Sequence, residues 1–296
     1  MHILVVGGGM GGTILANNLA RRLSGELEQG SSKITMLSAT DKHMYQPGLL
    51  YVAVGKMSTT ELYRDQKSLL EPSIDFHVDP VEKFDMDNNS VTTKSGKKIS
   101  YDILCIATGS RGNAAGIPGL AENACQFYTE ADALAMYKKL QKFEGGKVVV
   151  ATGVPHKCPM SPLEITFFLV DYFKKRGIWD KVDLHYTYPI GRVHSLEPVA
   201  NWAAPEFDKL GITYETLFNM KEVVPGKVIS EEDSSAEFDL LVTVPPHKGQ
   251  QVIEDNELGA GGFIPTDKKK LNMEGRENVF VLGDTTNLPI SKAGST

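Results

Sequence analysis

The feature that most constrains this chain is its beginning. The β-rich run His2–Val6 meets Gly7-Gly8-Gly9-Met10-Gly11-Gly12, and Thr13-Ile14-Leu15-Ala16-Asn17-Asn18-Leu19-Ala20 follows with helical spacing of its apolar residues. Strand, glycine turn and helix, in that order, form a ready-made anion site, because a helix start presents unpaired N–H groups and the positive end of its dipole. Gly7, Gly9 and Gly12 permit the tight turn, the close approach of a pyrophosphate and close helix–strand packing. The expected class is α/β, opening with a Rossmann-like unit that binds a dinucleotide.

At 296 residues the chain is long enough for two domains of ordinary size. Its net charge of −6 gives no basic surface for nucleic acid, so nucleic acid is excluded as the expected partner. No run of about 18 apolar residues is present, and no charged lead-in precedes an apolar leader, so the expectation is a cytoplasmic chain. Cys105, Cys125 and Cys158 are an odd number, too dispersed for a disulfide framework or a metal cluster, and no metal is expected.

Further strands refine the ligand. Lys33–Ser38 ends on Ser38, where a ribose clamp of the usual kind has an acidic residue; the Ser38 hydroxyl or Asp41 in the following loop could take that part. Tyr101-Asp102-Ile103-Leu104-Cys105-Ile106-Ala107-Thr108-Gly109 reads as a buried strand leading into Ala-Thr-Gly, and Asn278-Val279-Phe280-Val281-Leu282-Gly283-Asp284 as a strand ending in Gly-Asp. Together behind the N-terminal turn they point to FAD. They also make the first domain discontinuous: residues 1–111 and 245–296 form the FAD-binding domain, and residues 112–244 form a second Rossmann-like domain inserted in it.

That second domain lacks a nicotinamide fingerprint. Its strand Lys147-Val148-Val149-Val150-Ala151 is followed by Thr152-Gly153-Val154-Pro155-His156-Lys157-Cys158-Pro159, with one glycine and two prolines, which counts against NADH as the direct reductant. Ser161-Pro162 opens the next helix, so Cys158 lies just upstream of a helix start. This position, with Lys157 and His156 beside it, predicts a lowered thiol pKa. Cys105, inside an apolar strand, reads as a small hydrophobe. His156 and His194 read as surface or hydrogen-bonded residues, and Glu164 as either a helix-start acid or a proton shuttle with a raised pKa.

The ordered set of motifs resembles the sulfide:quinone oxidoreductases and the flavoprotein subunit of flavocytochrome c sulfide dehydrogenase. The resemblance rests most on Lys157-Cys158-Pro159-Met160-Ser161-Pro162-Leu163-Glu164, with support from Tyr45-Gln46-Pro47, Val52-Ala53-Val54-Gly55, Val244-Pro245-Pro246-His247-Lys248, and Gly283-Asp284 leading to Pro289-Ile290-Ser291-Lys292-Ala293-Gly294. It implies oxidation of sulfide to persulfide or polysulfide sulfur at a cysteine beside FAD, with electrons passing to a quinone and less readily to a cytochrome. Cys158 resembles the flavin-proximal cysteine, Cys125 the additional cysteine of the quinone-linked enzymes, and Glu164 the acid near the reaction centre. The implied cofactor contacts are Gly7, Gly9, Gly11, Gly12, Ser38, Ala39, Val81, Ala107, Thr108, Gly109, Gly283, Asp284 and Lys292.

The pattern also departs from the family. No residue here matches the partner thiol of Cys158, and Thr129 and Arg192 stand where some relatives have histidine. The resemblance therefore leads us to expect a further C-terminal part that carries this thiol and peripheral contact with the inner face of the membrane, and it is compatible with a homo-oligomer. The rival readings are a type II NADH:quinone oxidoreductase and a flavin-binding redox protein without turnover.

Overall fold

A computed structural model describes residues 1–289. The elements that carry the argument are, in chain order, β1 (His2–Val6), α1 (Met10–Arg22), β2 (Lys33–Ser38), α2 (Gly48–Ala53), β3 (Ile74–Val78), β4 (Ile103–Ile106), β5 (Ala124–Cys125), α3 (Glu130–Lys142), β6 (Gly146–Thr152), α4 (Ser161–Lys175), β7 (Val182–Tyr188), α5 (Glu197–Leu210), β8 (Thr213–Thr216), β9 (Leu240–Val244) and β10 (Val279–Val281). They fall into two compact units. One comprises Met1–Tyr45, Tyr63–Arg111 and the described residues from Lys248 onward; the other comprises Gln46–Leu62 and Gly112–His247.

The first unit is built on a five-stranded sheet in the order β10-β4-β1-β2-β3, all neighbours parallel. A parallel sheet needs apolar residues on both faces, and β1 supplies them by simple alternation. Ile3 and Val5 pack with Ala16 and Ala20 of α1, while Leu4 and Val6 join Leu104, Ile106 and Val281 in the opposite layer. Cys105 sits in the α1-side layer and is buried, so it is a core residue as its strand context predicts. The chain runs outward from β1 through β2 to β3 and then returns to the other side of β1 at β4. The switch point of this sheet thus lies between β1 and β4, where parallel α/β sheets open a crevice at their carboxyl ends.

In the second unit the sheet order is β5-β9-β6-β7-β8, again all parallel. Its switch point lies between β6 and β9. Val149 and Ala151 of β6 and Leu241 of β9 pack into a core with Phe218, Met220, Val223 and Val228. Residues 46–62 group with this unit, although the expected boundaries placed them in the first domain, and the return to the first unit comes at Lys248 where residue 245 was expected. The reason is local packing. Helix α2 buries Leu49, Leu50, Val52 and Ala53, and Lys56 just beyond it pairs with Asp171 of α4 at 2.7 Å.

Candidate functional site

At the switch point of the first sheet the glycines are placed by sterics. A side chain at Gly7, whose φ is +118°, would run into the Ala107 carbonyl, and one at Gly12 into the Gly7 carbonyl, so β1, α1 and the turn after β4 close together only with glycine there. Gly9 and Gly11 have open space in front of them. Gly9 caps α1 with no side-chain hydrogen bond, and the first turn carries no acidic residue, which leaves the helix start positive and its amides available.

Beneath the turn lies a polar network. The Gln66 side chain is fully buried and donates from Nε2 to Thr13 Oγ1 at 2.8 Å. His43 Nδ1 stands 3.1 Å from both the Gly8 carbonyl and Gln66 Oε1. Two carbonyl oxygens face one ring nitrogen, so Nδ1 carries the proton and donates.

The turns after β4 and β10 are joined by side chains. Gly109 donates its N–H to Thr285 Oγ1 at 2.7 Å, Thr108 and Thr285 hydroxyls lie 3.3 Å apart, and Ser110 donates to Asp284 Oδ2 at 3.1 Å. Asp284 and Thr285 are buried, and Gly283 turns the chain at φ +63°. Ser38 is buried with its Oγ against Gly8, where it accepts the Thr40 N–H at 3.3 Å; Ala39 is exposed, and Val81 gives its side chain to the core. Lys292 lies outside the described residues.

The switch point of the second sheet is filled by protein. Gly153 donates its N–H to the Val244 carbonyl at 2.8 Å, and a side chain there would strike the ring of Pro246. His247 donates its N–H to the Pro155 carbonyl at 2.7 Å and rests edge-on to the Tyr128 ring, with centroids 4.5 Å apart. A pyrophosphate has no glycine cradle to enter here. What the loop presents instead is Cys158, in a left-handed conformation at φ +55°, immediately before α4.

The thiol differs from the expectation. Burial is the largest influence on Cys158 and pushes its pKa up; Glu164 acts in the same direction, against the Ser161 and Met160 amides that favour the thiolate. Of the two neighbours that were expected to help, His156 carries no charge with which to do so. Burial holds His156 down to about 4, so it is neutral at physiological pH, and Lys157 Nζ donates to Gln46 Oε1 at 2.6 Å. Glu164 lies on the first turn of α4 and reaches solvent, yet crowding by protein raises its pKa. Cys125 is buried in β5, opposite Val242 of β9, with its pKa raised by burial and partly offset by Lys139. All three cysteines are free thiols.

Behind Cys158 lies an aromatic group. His156 and His194 flank Tyr188: the His156 ring is edge-on at 5.8 Å and hydrogen-bonded to Tyr188 Oη at 3.3 Å, and the His194 ring is stacked at 6.4 Å. His194 is fully buried, its Nδ1 accepts the Leu196 N–H at 3.0 Å, and burial lowers its pKa. Both histidines are thus hydrogen-bonded, one of the two alternatives that the sequence left open for them.

Residues 1–151 match the family model described as pyridine nucleotide-disulphide oxidoreductase. The chain is 30% identical over 316 residues to the mitochondrial sulfide:quinone oxidoreductase of Dictyostelium discoideum, an alignment covering 99% of this chain and 67% of that protein. The chain belongs to the sulfide:quinone oxidoreductase family. The crystal structure of the sulfide:quinone oxidoreductase from the hyperthermophilic bacterium Aquifex aeolicus superposes with a TM-score of 0.85 at 26% identity, covering 97% of this chain and 69% of that one. A type II NADH:quinone oxidoreductase from Staphylococcus saprophyticus is more distant, at 20% identity over 95% of this chain and 73% of its own length.

A sulfide:quinone oxidoreductase is a flavoprotein, and its cofactor is FAD. The first unit fits that group on its own geometry. The α1 start has no side-chain cap and no acid opposing it, Gly9 and Gly11 leave room for a phosphate to approach, and the paired turns at Gly109 and Asp284 frame the adjoining strand ends. Among the described residues no cluster of His, Cys, Asp and Glu could hold a metal ion.

Sequence reasoning missed Gln66, His43, Thr13 and Thr285. Gln66 and Thr13 are 53 residues apart, and Gly109 and Thr285 are 176 apart, so no local pattern announces them. Only the fold brings them together: once Gln66 is buried beside the glycine turn it has to find polar partners.

Proposed function

We propose that the chain oxidises sulfide, with Cys158 accepting the sulfur and a quinone receiving the electrons by way of FAD. Bound FAD supplies a two-electron acceptor. The balance is simple: a thiol and hydrogen sulfide give a persulfide, two protons and two electrons, and the quinone takes up both electrons and both protons. Cys158 binds the sulfur. Glu164, whose carboxyl is shifted towards neutrality, takes a proton from the loop and returns it to solvent. The first-unit glycine turn, with Ala107, Thr108, Gly109, Gly283 and Asp284, holds the cofactor, and we assign that unit as the FAD domain.

One observation carries this reading. The place where a second dinucleotide would lie is occupied by the Gly153–Cys158 loop packed on Pro246, and that loop delivers a thiol. The arrangement favours sulfide over NADH as the reductant. A quinone is lipid-borne, so the reading also puts the protein at a membrane surface, peripherally and on the cytoplasmic side. Among the described residues no helix is long and apolar enough to cross a membrane.

Anaerobic titration of the purified FAD-loaded protein tests the assignment. Sulfide is expected to bleach the flavin band and NADH to leave it unchanged. Bleaching by NADH alone, or by neither, overturns it.

A further inference from the structure

The Cys158 backbone is held by two hydroxyls that nothing so far accounts for. Ser161 Oγ donates to the Cys158 carbonyl at 2.9 Å, and the Ser161 N–H reaches the same oxygen at 3.3 Å. Tyr128 Oη lies 2.6 Å from Ser161 Oγ and 3.3 Å from the Lys157 carbonyl. Ser161 is 2% exposed, and the Tyr128 ring is fixed between Phe127 and the edge of His247, with centroids 5.0 and 4.5 Å away. A left-handed cysteine is an uncommon conformation that surrounding bonds have to impose, and these are the bonds next to it.

The proton count makes the pair adjustable. Two hydroxyls carry two protons, and among the described residues at least three contacts compete for them: Tyr128 to Ser161, Tyr128 to Lys157, and Ser161 to Cys158. If Tyr128 donates to Ser161, the Ser161 proton can rotate from the Cys158 carbonyl to the Cys158 sulfur without leaving that carbonyl bare, because the Ser161 N–H still faces it. No covalent bond changes in this rotation. The Ser161 hydroxyl, already 2.9 Å from the Cys158 carbonyl, acts on the thiol in favour of its ionised form.

We propose that Tyr128 and Ser161 are positioning residues for Cys158: they pin its left-handed backbone through the carbonyl and turn a hydroxyl donor onto the sulfur when the thiolate forms. The inference deepens the reading of Cys158 as the sulfur acceptor and rests on it for its role in turnover, but the thiol itself can be examined separately.

The experiment uses the FAD-loaded protein and Ser161→Ala, Ser161→Thr and Tyr128→Phe variants, with FAD content and melting temperature recorded for each. Iodoacetamide alkylation of Cys158, quantified by peptide mass spectrometry across pH, reads the thiol directly. A hydrogen bond to a charged group corresponds to roughly tenfold to hundredfold in equilibrium, so Ser161→Ala is expected to move the alkylation midpoint up by about one pH unit or more. Ser161→Thr, which keeps the hydroxyl, is expected to restore it, and Tyr128→Phe to give a smaller upward move. In anaerobic stopped flow the same order is expected in the limiting rate of flavin reduction by sulfide. An unchanged alkylation profile in Ser161→Ala and Tyr128→Phe overturns the proposal, whatever the flavin does. If the unsubstituted protein shows no reduction by sulfide, the functional reading fails, and the alkylation profile still decides the positioning role.

Discussion

Thr285 Oγ1 accepts the backbone N–H of Gly109 at 2.7 Å, tying the turn after β10 to the turn after β4. Thr285 is fully buried, so this bond is shielded from water and its loss leaves an amide with nothing to replace it. Thr285→Val keeps the shape and removes the acceptor. The expected cost is about 1–3 kcal/mol, with faster loss of FAD on dilution. Urea unfolding and FAD retention on gel filtration measure the two effects.

Two glycines of the N-terminal turn should behave oppositely. Gly12→Ala places a methyl group against the Gly7 carbonyl, so the variant is expected to be destabilised by several kcal/mol or to fail to fold, as overpacking against backbone predicts. Gly9→Ala meets no protein atom, and its backbone suits alanine, so the fold itself should lose no more than about 1 kcal/mol from the weaker cap. Any large fall in FAD affinity for Gly9→Ala then measures the cofactor's own approach, and fluorescence titration of the apoprotein reads it. Unchanged affinity would place the pyrophosphate elsewhere.

Acid stability should depend on His156. Burial lowers its pKa to about 4 from 6.5, so between these values the unfolded chain binds a proton that the folded chain refuses. The stability contribution is complete above about pH 6.5 and falls as pH drops towards 4, by about 3–3.5 kcal/mol in total. His194 and His185 are shifted the same way and add to the slope, so the useful quantity is a difference between proteins. His156→Gln is expected to flatten the curve of unfolding free energy against pH over that window relative to the parent, measured by denaturant melts at pH 7 and pH 5.

Much of this architecture was legible in the chain. The strands β1 and β2 coincide with the runs His2–Val6 and Lys33–Ser38 read from the sequence, because both join β-branched and other apolar residues between clear borders. Helix α1 begins at Met10, three residues before the periodic stretch, since Gly11 and Gly12 belong to the helix and only look like turn residues. Helix α5 carries Pro205 inside it; a proline usually signals a break, but here tertiary packing of Ala203 and Phe207 overrides it.

The candidate site was half legible. Its glycines and its cysteine loop are local motifs, whereas the direction of the Cys158 pKa shift is not. A helix start argues for a lowered value, but the amount of protein packed over the sulfur decides the sign, and that depends on segments distant in sequence. The same holds for the Gln66–His43 network and for the segment 46–62, whose Lys56–Asp171 pair spans more than a hundred positions.

Removing the sulfur should separate chemistry from cofactor binding. Cys158→Ser is expected to keep FAD, since the glycine turn and the Gly109–Thr285 bond lie in the first unit, while flavin reduction by sulfide falls to background. Anaerobic stopped-flow absorbance reads the reduction, and the flavin spectrum before mixing reads the loading. Unaltered reduction kinetics would take Cys158 out of the mechanism.

The left-handed backbone of Cys158 also sets function against durability. A side chain in that conformation is held against its preference by roughly 1–2 kcal/mol, a penalty from which glycine is exempt. Cys158→Gly relieves this strain, so the inactive protein should tolerate heat at least as well as the active one. Screens for thermostability alone would therefore tend to discard the one atom on which the proposed chemistry depends.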